Sequence, residues 1–249
     1  MAQGLFLAGA LVAAAPAIAQ TSGSSGTSDQ IWATVLLDYP HGKDSLFELN
    51  IEPKTQISDG DKWRSLAVTP LVEYYPIKWL DVEGELHLVW THEFEGTNSR
   101  EVTPRLGFRM NLLSNLRERA PFGGLFDRIR LATLIRFEYR NLSYSDGSPS
   151  THQWRFRARL ESKLGITDAD LSKDGTLYAA ADVEVYVPFG ADVSERFASK
   201  LRSRMGLGYR FNYQWRAEIL YIRDANRKTK DDPFATSANA VDMRVKLFF

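Results

Sequence analysis

The sequence predicts an all-β fold: a single antiparallel transmembrane β-barrel of about 10–12 strands, occupying residues 31–249. Three observations predict it. In HQWRFRARLESK, residues 152–163, Arg155, Arg157 and Arg159 stand at every second position, with Trp154, Phe156, Ala158 and Leu160 filling the other face. A strand repeats every two residues and sets the arginines on one side, whereas a helix would scatter them around its circumference. Nearly all the remaining chain reads as segments of about ten residues with the same alternation, separated by turns. Trp and Tyr gather toward segment ends, at Trp63, Tyr74, Trp79, Trp90, Tyr139, Tyr144, Trp154, Tyr209, Tyr213 and Trp215, as two aromatic belts at the water boundaries of a bilayer require.

The elements follow in order. Residues 1–19 are small, apolar and uncharged and end in Ala17-Ile18-Ala19 before Gln20, the pattern of a cleaved secretory signal peptide. A basic residue near Met1 is missing, which leaves the true start open. The apolar run is shorter than the roughly 20 residues a spanning helix needs. Residues 20–30, containing TSGSSGTSDQ, form a flexible polar tail.

The first strand, 31–39, opens with Ile31-Trp32-Ala33-Thr34-Val35. In 46–54, Phe47, Leu49, Ile51 and Pro53 oppose Glu48, Asn50, Glu52 and Lys54; in 64–75 the apolar face is Leu66, Val68, Pro70, Val72 and Tyr74. Segment 80–92 sets Leu86, Leu88 and Trp90 against Asp81, Glu83, Glu85 and His87, and 101–112 sets Val102, Pro104, Leu106 and Phe108 against Glu101, Arg105 and Arg109. Strands 129–143, 152–164, 177–187, 198–211, 213–223 and 239–249 continue the pattern. A shift of one residue would exchange the two faces, so the faces are fixed even where the strand ends are not. About eleven segments result; an even number is expected of single-chain bacterial barrels, which points to one strand missed or merged. Pro53, Pro70 and Pro104 each remove a ladder donor inside a strand and are expected at bulges or rims. YPIKW and FNYQW read as periplasmic turns, LRERAPFGGLFDR as a long periplasmic connection with a short amphipathic helix, and the segments around Asp59-Gly60, EFEGTNSR, SDGSPS, GADVSERF and ANRKTKDDPFATSA as external loops.

With Lys plus Arg and Asp plus Glu both at 31, the chain as a whole has no nucleic-acid footprint. The absence of cysteine excludes disulfides and zinc-thiolate sites. Electrostatic function therefore rests on local segregation. The inward face of the early strands offers an acidic wall, Glu48, Glu52, Asp81, Glu83 and Glu85; the later strands offer a basic wall, Arg130, Arg136, Arg140, Arg155, Arg157, Arg159, Arg202, Arg204 and Arg210. In an open lumen such arginine rows form a selectivity wall of weak, successive anion sites. In a packed lumen the same residues form ion-pair ladders, because buried charges persist only when paired; Glu138 between Arg136 and Arg140, and Asp182 and Glu184 on the strand after the arginine row, fit that arrangement. The excess of arginine over nearby acids on the later strands weighs toward a narrow passage.

The alternating end of the chain, VDMRVKLFF, resembles the closing strand of bacterial outer-membrane β-barrels, in which a C-terminal Phe, here Phe249, is a signal for the barrel-assembly machinery. The arginine row at Arg155, Arg157 and Arg159 is similar to the lumens of monomeric outer-membrane channels for acidic oligosaccharides, a likeness of architecture without a shared diagnostic motif. The arrangement of short turns, with Trp near the first strand and a tyrosine-containing turn before the fourth, looks more like an uncharacterised family of small Gram-negative outer-membrane barrels of unknown function. These resemblances imply a location in the outer membrane and contacts with its lipid and lipopolysaccharide and with the assembly machinery; together with the arginine rows, the expectation is a monomer that passes small solutes, anions in particular, by passive diffusion. The alternatives are a non-conducting structural or receptor barrel acting through its loops, and a lipid-acting enzyme at the rim. No catalytic residues, metal ligands or cofactor are expected: His92 and Glu93 are neighbours on a strand and point to opposite faces, His87 sits inward among carboxylates as a hydrogen-bonding residue, and no serine stands in a nucleophile motif.

Overall fold

The computed structural model describes residues 27–58, 62–94, 96–112, 127–190 and 197–249. They form β1 (Ser28–His41), β2 (Ser45–Gln56), β3 (Trp63–Ile77), β4 (Leu80–Glu93), β5 (Ser99–Asn111), β6 (Ile129–Tyr144), β7 (Thr151–Gly165), β8 (Thr176–Phe189), β9 (Lys200–Arg210), β10 (Trp215–Asn226) and β11 (Ala235–Phe248). Each strand pairs with its sequence neighbours, and β1 closes on β11 to complete a barrel. Each described strand therefore has a partner on both sides, and among the described residues no strand edge is left open.

Eleven strands among the described residues correct two expectations. No even count is reached, and the sheet is not wholly antiparallel: β1 runs parallel to β11, from Ser28 beside Ala238 to Asp38 beside Phe248, while every other seam is antiparallel. The reason is geometric. With an odd number of alternating strands the first and last point the same way, and slanted parallel hydrogen bonds close the ring as completely as antiparallel ones. β1 also starts at Ser28, three residues inside the segment expected to be a tail. The expected signal peptide, and residues 116–126 of the expected amphipathic connection, lie outside the described residues.

The connections β2–β3, β4–β5, β6–β7, β8–β9 and β10–β11 share one end of the barrel with the start of β1, called the upper end below. The turns β1–β2, β3–β4 and β9–β10, the connections β5–β6 and β7–β8, and the chain terminus share the lower end. At that end the Phe249 amide donates to the Asp38 carbonyl at 3.0 Å and the Phe248 amide to that of Gln214 at 2.6 Å, pinning the closing strand to its neighbours.

The three strand prolines sit neither at bulges nor at rims. Pairing of β1 with β2 skips from Trp32–Lys54 to Val35–Ile51 at Pro53; β3 with β4 skips from Val68–Leu88 to Leu71–Glu85 at Pro70; β5 with β6 skips from Val102–Asn141 to Arg105–Glu138 at Pro104. The register is the same on both sides of each gap. A missing N–H removes the local rung without adding a residue, so the ladder resumes in phase. Irregular register occurs elsewhere, between Asp224 and Ala225 and between Tyr74 and Ile77.

The faces divide as the alternation requires. Leu66, Val72, Leu106, Leu160, Met205 and Ile219 are exposed on the outer wall. Glu83, Glu138, Glu184, Asp242 and Arg157 are buried inside. The aromatics fall in two groups. Near the upper end Tyr139 packs on Trp154 at 4.8 Å, and Trp154 on Phe189 at 6.1 Å; near the lower end Phe211 stacks on Trp215 at 3.9 Å and meets Tyr209 edge-on at 4.8 Å.

Candidate functional site: the charged lumen

The inward side chains are organised around buried carboxylates. Glu138 on β6, with no solvent exposure, is held by Arg105 Nε at 3.0 Å, Arg155 Nη2 at 2.5 Å and Arg157 Nη1 at 2.6 Å. Those arginines come from both flanking strands, because Glu138 pairs in register with Arg105 on β5 and Arg155 on β7. Glu83 on β4 is equally buried and meets Arg109 at 2.9 Å and Arg136 at 3.0 Å. The second contact reaches over an entire strand. It is possible because Gly107 stands between Glu83 and Arg136 in register, where a Cβ would approach Glu83 Oε2 to 3.1 Å.

From these two centres the pairing spreads. Glu85 joins Arg105 at 3.1 Å and Arg136 at 2.5 Å, Glu161 joins Arg109 and Arg159 at 2.5 Å each, and Glu184 takes Arg157 at 2.6 Å and the Tyr186 hydroxyl at 2.7 Å. Asp224 holds Arg202 at 2.6 Å and Lys200 at 2.8 Å, Asp182 holds Arg204 at 2.8 Å, and Glu101 holds Arg140 at 2.6 Å. Across the parallel seam Lys246 bridges Asp38 at 2.7 Å and Glu48 at 2.6 Å, while Asp242 accepts from Thr34 at 2.8 Å and pairs with Arg244 at 2.6 Å.

An acidic wall facing a basic wall is therefore not the arrangement. Glu83 and Glu85 touch Arg136, Arg105 and Arg109 directly, and the later strands carry their own acids among the arginines. Glu52 pairs with Lys54 at 2.6 Å, and Asp81 accepts from Asn111 at 3.3 Å. Two arginines of the expected basic wall lie at the lower rim: Arg130 is exposed and donates to the Asp127 carbonyl at 3.1 Å, and Arg210 donates to that of Tyr213 at 3.3 Å. Sequence spacing put these two on the polar face of their strands and gave no height along the barrel axis.

Inside the wall is a cavity of about 670 Å³. Arg136, Arg140, Arg155, Arg157, Arg159, Arg202 and Arg204 line it, together with Glu48, Glu52, Asp81 and Glu85. Fifteen Lys and Arg side chains face it against nine Asp and Glu, so its surface is cationic although the chain as a whole is neutral. The six most hidden acids, Asp38, Glu83, Glu138, Glu184, Asp224 and Asp242, are not part of that surface. Side-chain length explains the layering. A carboxylate on a short stem stays against the wall, while Lys and Arg run their methylenes past it and carry the charge toward the axis.

Several contributors were not singled out from the sequence. Lys54, Lys163, Lys200, Arg216, Arg244 and Lys246 line the cavity, and Arg105 and Arg109 complete the clamps. Strict alternation with the named residues was the signal that could have found them. Trp32 was less legible: it turns inward and is buried, with Lys54 Nζ 4.0 Å and Arg202 Cζ 4.9 Å from its ring centre, and its indole N–H donates to Gln30 at 2.9 Å. Tyr186 is likewise an inward aromatic, with Arg155, Arg157, Lys200 and Arg202 between 4.6 and 5.8 Å from its ring centre. Both provide ring faces that hold cations in place by their quadrupoles. Of the histidines, His87 exchanges a 2.8 Å hydrogen bond with Thr69 inside the lumen, and His92 one of 2.8 Å with Asn98.

No curated protein matches the chain. A family model described as protein of unknown function (DUF2490) matches residues 29–235, which reach from the start of β1 to the first residue of β11. The chain belongs to that uncharacterised family.

Proposed function

We propose that the protein is an outer-membrane barrel whose lumen passes small solutes by diffusion, with a preference for anions. The observation that carries the transport reading is the layered lumen: a cavity of about 670 Å³ whose lining is cationic, with the most buried carboxylates set behind it. A small anion exchanging hydration for guanidinium contacts along such a surface meets sites it can enter and leave, which is what passage through a pore requires.

The membrane location has its own support. The barrel is inside-out relative to a soluble protein, with charge within and large apolar side chains exposed on the outer wall. Contiguous apolar surface of that extent is expected only where another apolar phase covers it. Strands of 11 to 16 residues meet or exceed the roughly 9–11 that a tilted strand needs to cross a hydrocarbon core. In this reading residues 1–19 direct export, Phe249 presents the closing strand to the assembly machinery, the lower end faces the periplasm, and the barrel works as a monomer among phospholipid and lipopolysaccharide.

The test is single-channel recording of the refolded chain in a planar bilayer under a salt gradient. Arg159 and Arg216 are the variants of choice. Glu161 keeps Arg109 when Arg159 is lost, and among the described residues no carboxylate lies within ion-pair distance of Arg216, so neither change strands a buried acid. Discrete openings are expected, with an anion preference that moves toward unity in the R159Q/R216Q double variant. A folded barrel that never conducts would sink the channel and favour the second reading, a closed structural or receptor barrel, for which the connected clamps on Glu83 and Glu138 already speak.

A further inference from the structure

A second concavity lies outside the lumen. A groove of about 1150 Å³ lies on the outer wall near the upper end, crossing from β11 over β1, β2, β3 and β4 toward β5 and β6. Its origin is in the side chains. Ala33 on β1 and Pro53 and Thr55 on β2 are small and leave a depression, walled by Met243 on one side and by Leu66 and Trp90 on the other. The depression coincides with the gap that Pro53 makes in the β1–β2 ladder.

The groove is apolar along its floor and cationic at one edge. Arg64 on β3 and Arg100 on β5 both line it and are both exposed. Register brings them together around β4: Arg64 stands beside His92, and Arg100 beside Trp90 two residues further along the same strand. With strands about 4.8 Å apart and about 3.4 Å per residue, their Cα atoms are roughly 12 Å apart, a gap that two arginine side chains can close on one anion. Arg64 rests near the Phe94 ring at 5.6 Å. Among the described residues neither arginine has a carboxylate within ion-pair distance, unlike nearly every inward arginine. Two outward guanidinium groups with no ion-pair partner among the described residues, next to an apolar channel at the level of the aromatic belt, complement a phosphate that carries hydrocarbon chains.

We infer that the groove across β1–β5 binds a phosphate-bearing lipid, with the headgroup between Arg64 and Arg100 and an acyl chain along Ala33, Pro53 and Leu66. The inference rests on the reading that the barrel spans a membrane, and it adds a specific lipid site to that reading. The phosphate is held by bidentate guanidinium contacts, and Trp90 lies between the two arginines at the boundary where headgroup gives way to chain.

The experiment uses the whole refolded chain, first inserted into phosphatidylcholine vesicles and then examined by native mass spectrometry with dimyristoyl phosphatidic acid and dimyristoyl phosphatidylcholine as competing probes. A preference for phosphatidic acid of about tenfold is expected. R64S/R100S should abolish the preference, A33W should weaken binding by filling the floor while keeping both charges, and R223S should leave it unchanged, because Arg223 is exposed on the neighbouring β10 outside the groove. A barrel that inserts but shows no preference, or one that survives both R64S/R100S and A33W, overturns the site alone. Displacement of the lipid by inorganic phosphate would assign the arginines to a free anion and overturns it too. Failure of the chain to enter vesicles overturns this inference together with the membrane reading on which it rests.

Discussion

Glu138 shows how a single residue organises the interior. A lone carboxylate without solvent exposure would be expelled or neutralised; three guanidinium groups at 2.5 to 3.0 Å make its burial tolerable. The same accounting makes it a sensitive position. Replacing Glu138 by Gln removes the charge and keeps the shape, leaving three cations around a neutral amide, and is expected to destabilise the barrel by about 3–5 kcal/mol. Glu101→Gln, which removes one partner of a partly buried pair with Arg140, should cost less, about 1–2 kcal/mol. The urea midpoint at which the folded, heat-modifiable band disappears would compare the two; equal midpoints would refute the clamp. Much of this was legible in sequence: Glu138 between Arg136 and Arg140 suggested ladders. What alternation could not supply was partner identity. Glu83 and Arg136 are 53 residues apart, and their contact depends on the absence of a side chain at Gly107 between them.

At the scale of the element, strands tolerate proline here because the loss stays local. Pro53, Pro70 and Pro104 each delete one rung and keep the register, contrary to the expectation that they mark bulges or rims. Proline at an interior position of a sheet forfeits one hydrogen bond and leaves one acceptor on the partner strand unpaired. Pro70→Val, which restores a donor toward β4 and places a β-branched apolar group on the outer face, is therefore expected to stabilise the barrel by about 1 kcal/mol. A midpoint shift in the same urea assay checks it, and no gain would mean that the β4 carbonyl opposite Pro70 already has another donor. Strand existence and facing were readable from a period of two. Strand ends were less so: β1 begins at Ser28 and β11 at Ala235, because their first residues are polar or small on both faces and leave no alternation to follow.

At the scale of the whole molecule, the odd strand count has a topological consequence. β1 starts at the upper end and β11 finishes at the lower end, so the two ends of the barrel wall lie on opposite sides of whatever the barrel crosses. The chain contains no cysteine, so single substitutions report sidedness without background. In vesicles with uniform insertion, S28C and S148C should react with an impermeant maleimide from one side and N212C from the other; labelling of S28C together with N212C would contradict the parallel closure. Sequence alone determined that the chain is a barrel, which residues face inward, and that charge is kept within, because a repeat of two and a sign change at each step are local properties of the chain. Only the tertiary structure decided that the ring closes through a parallel seam, that acids and arginines interlock instead of forming opposed walls, and that the cavity presents cations while the deepest carboxylates lie behind them. Those features depend on register between strands, on height along the axis, and on the unequal reach of Glu and Arg from a common wall, none of which a linear pattern records.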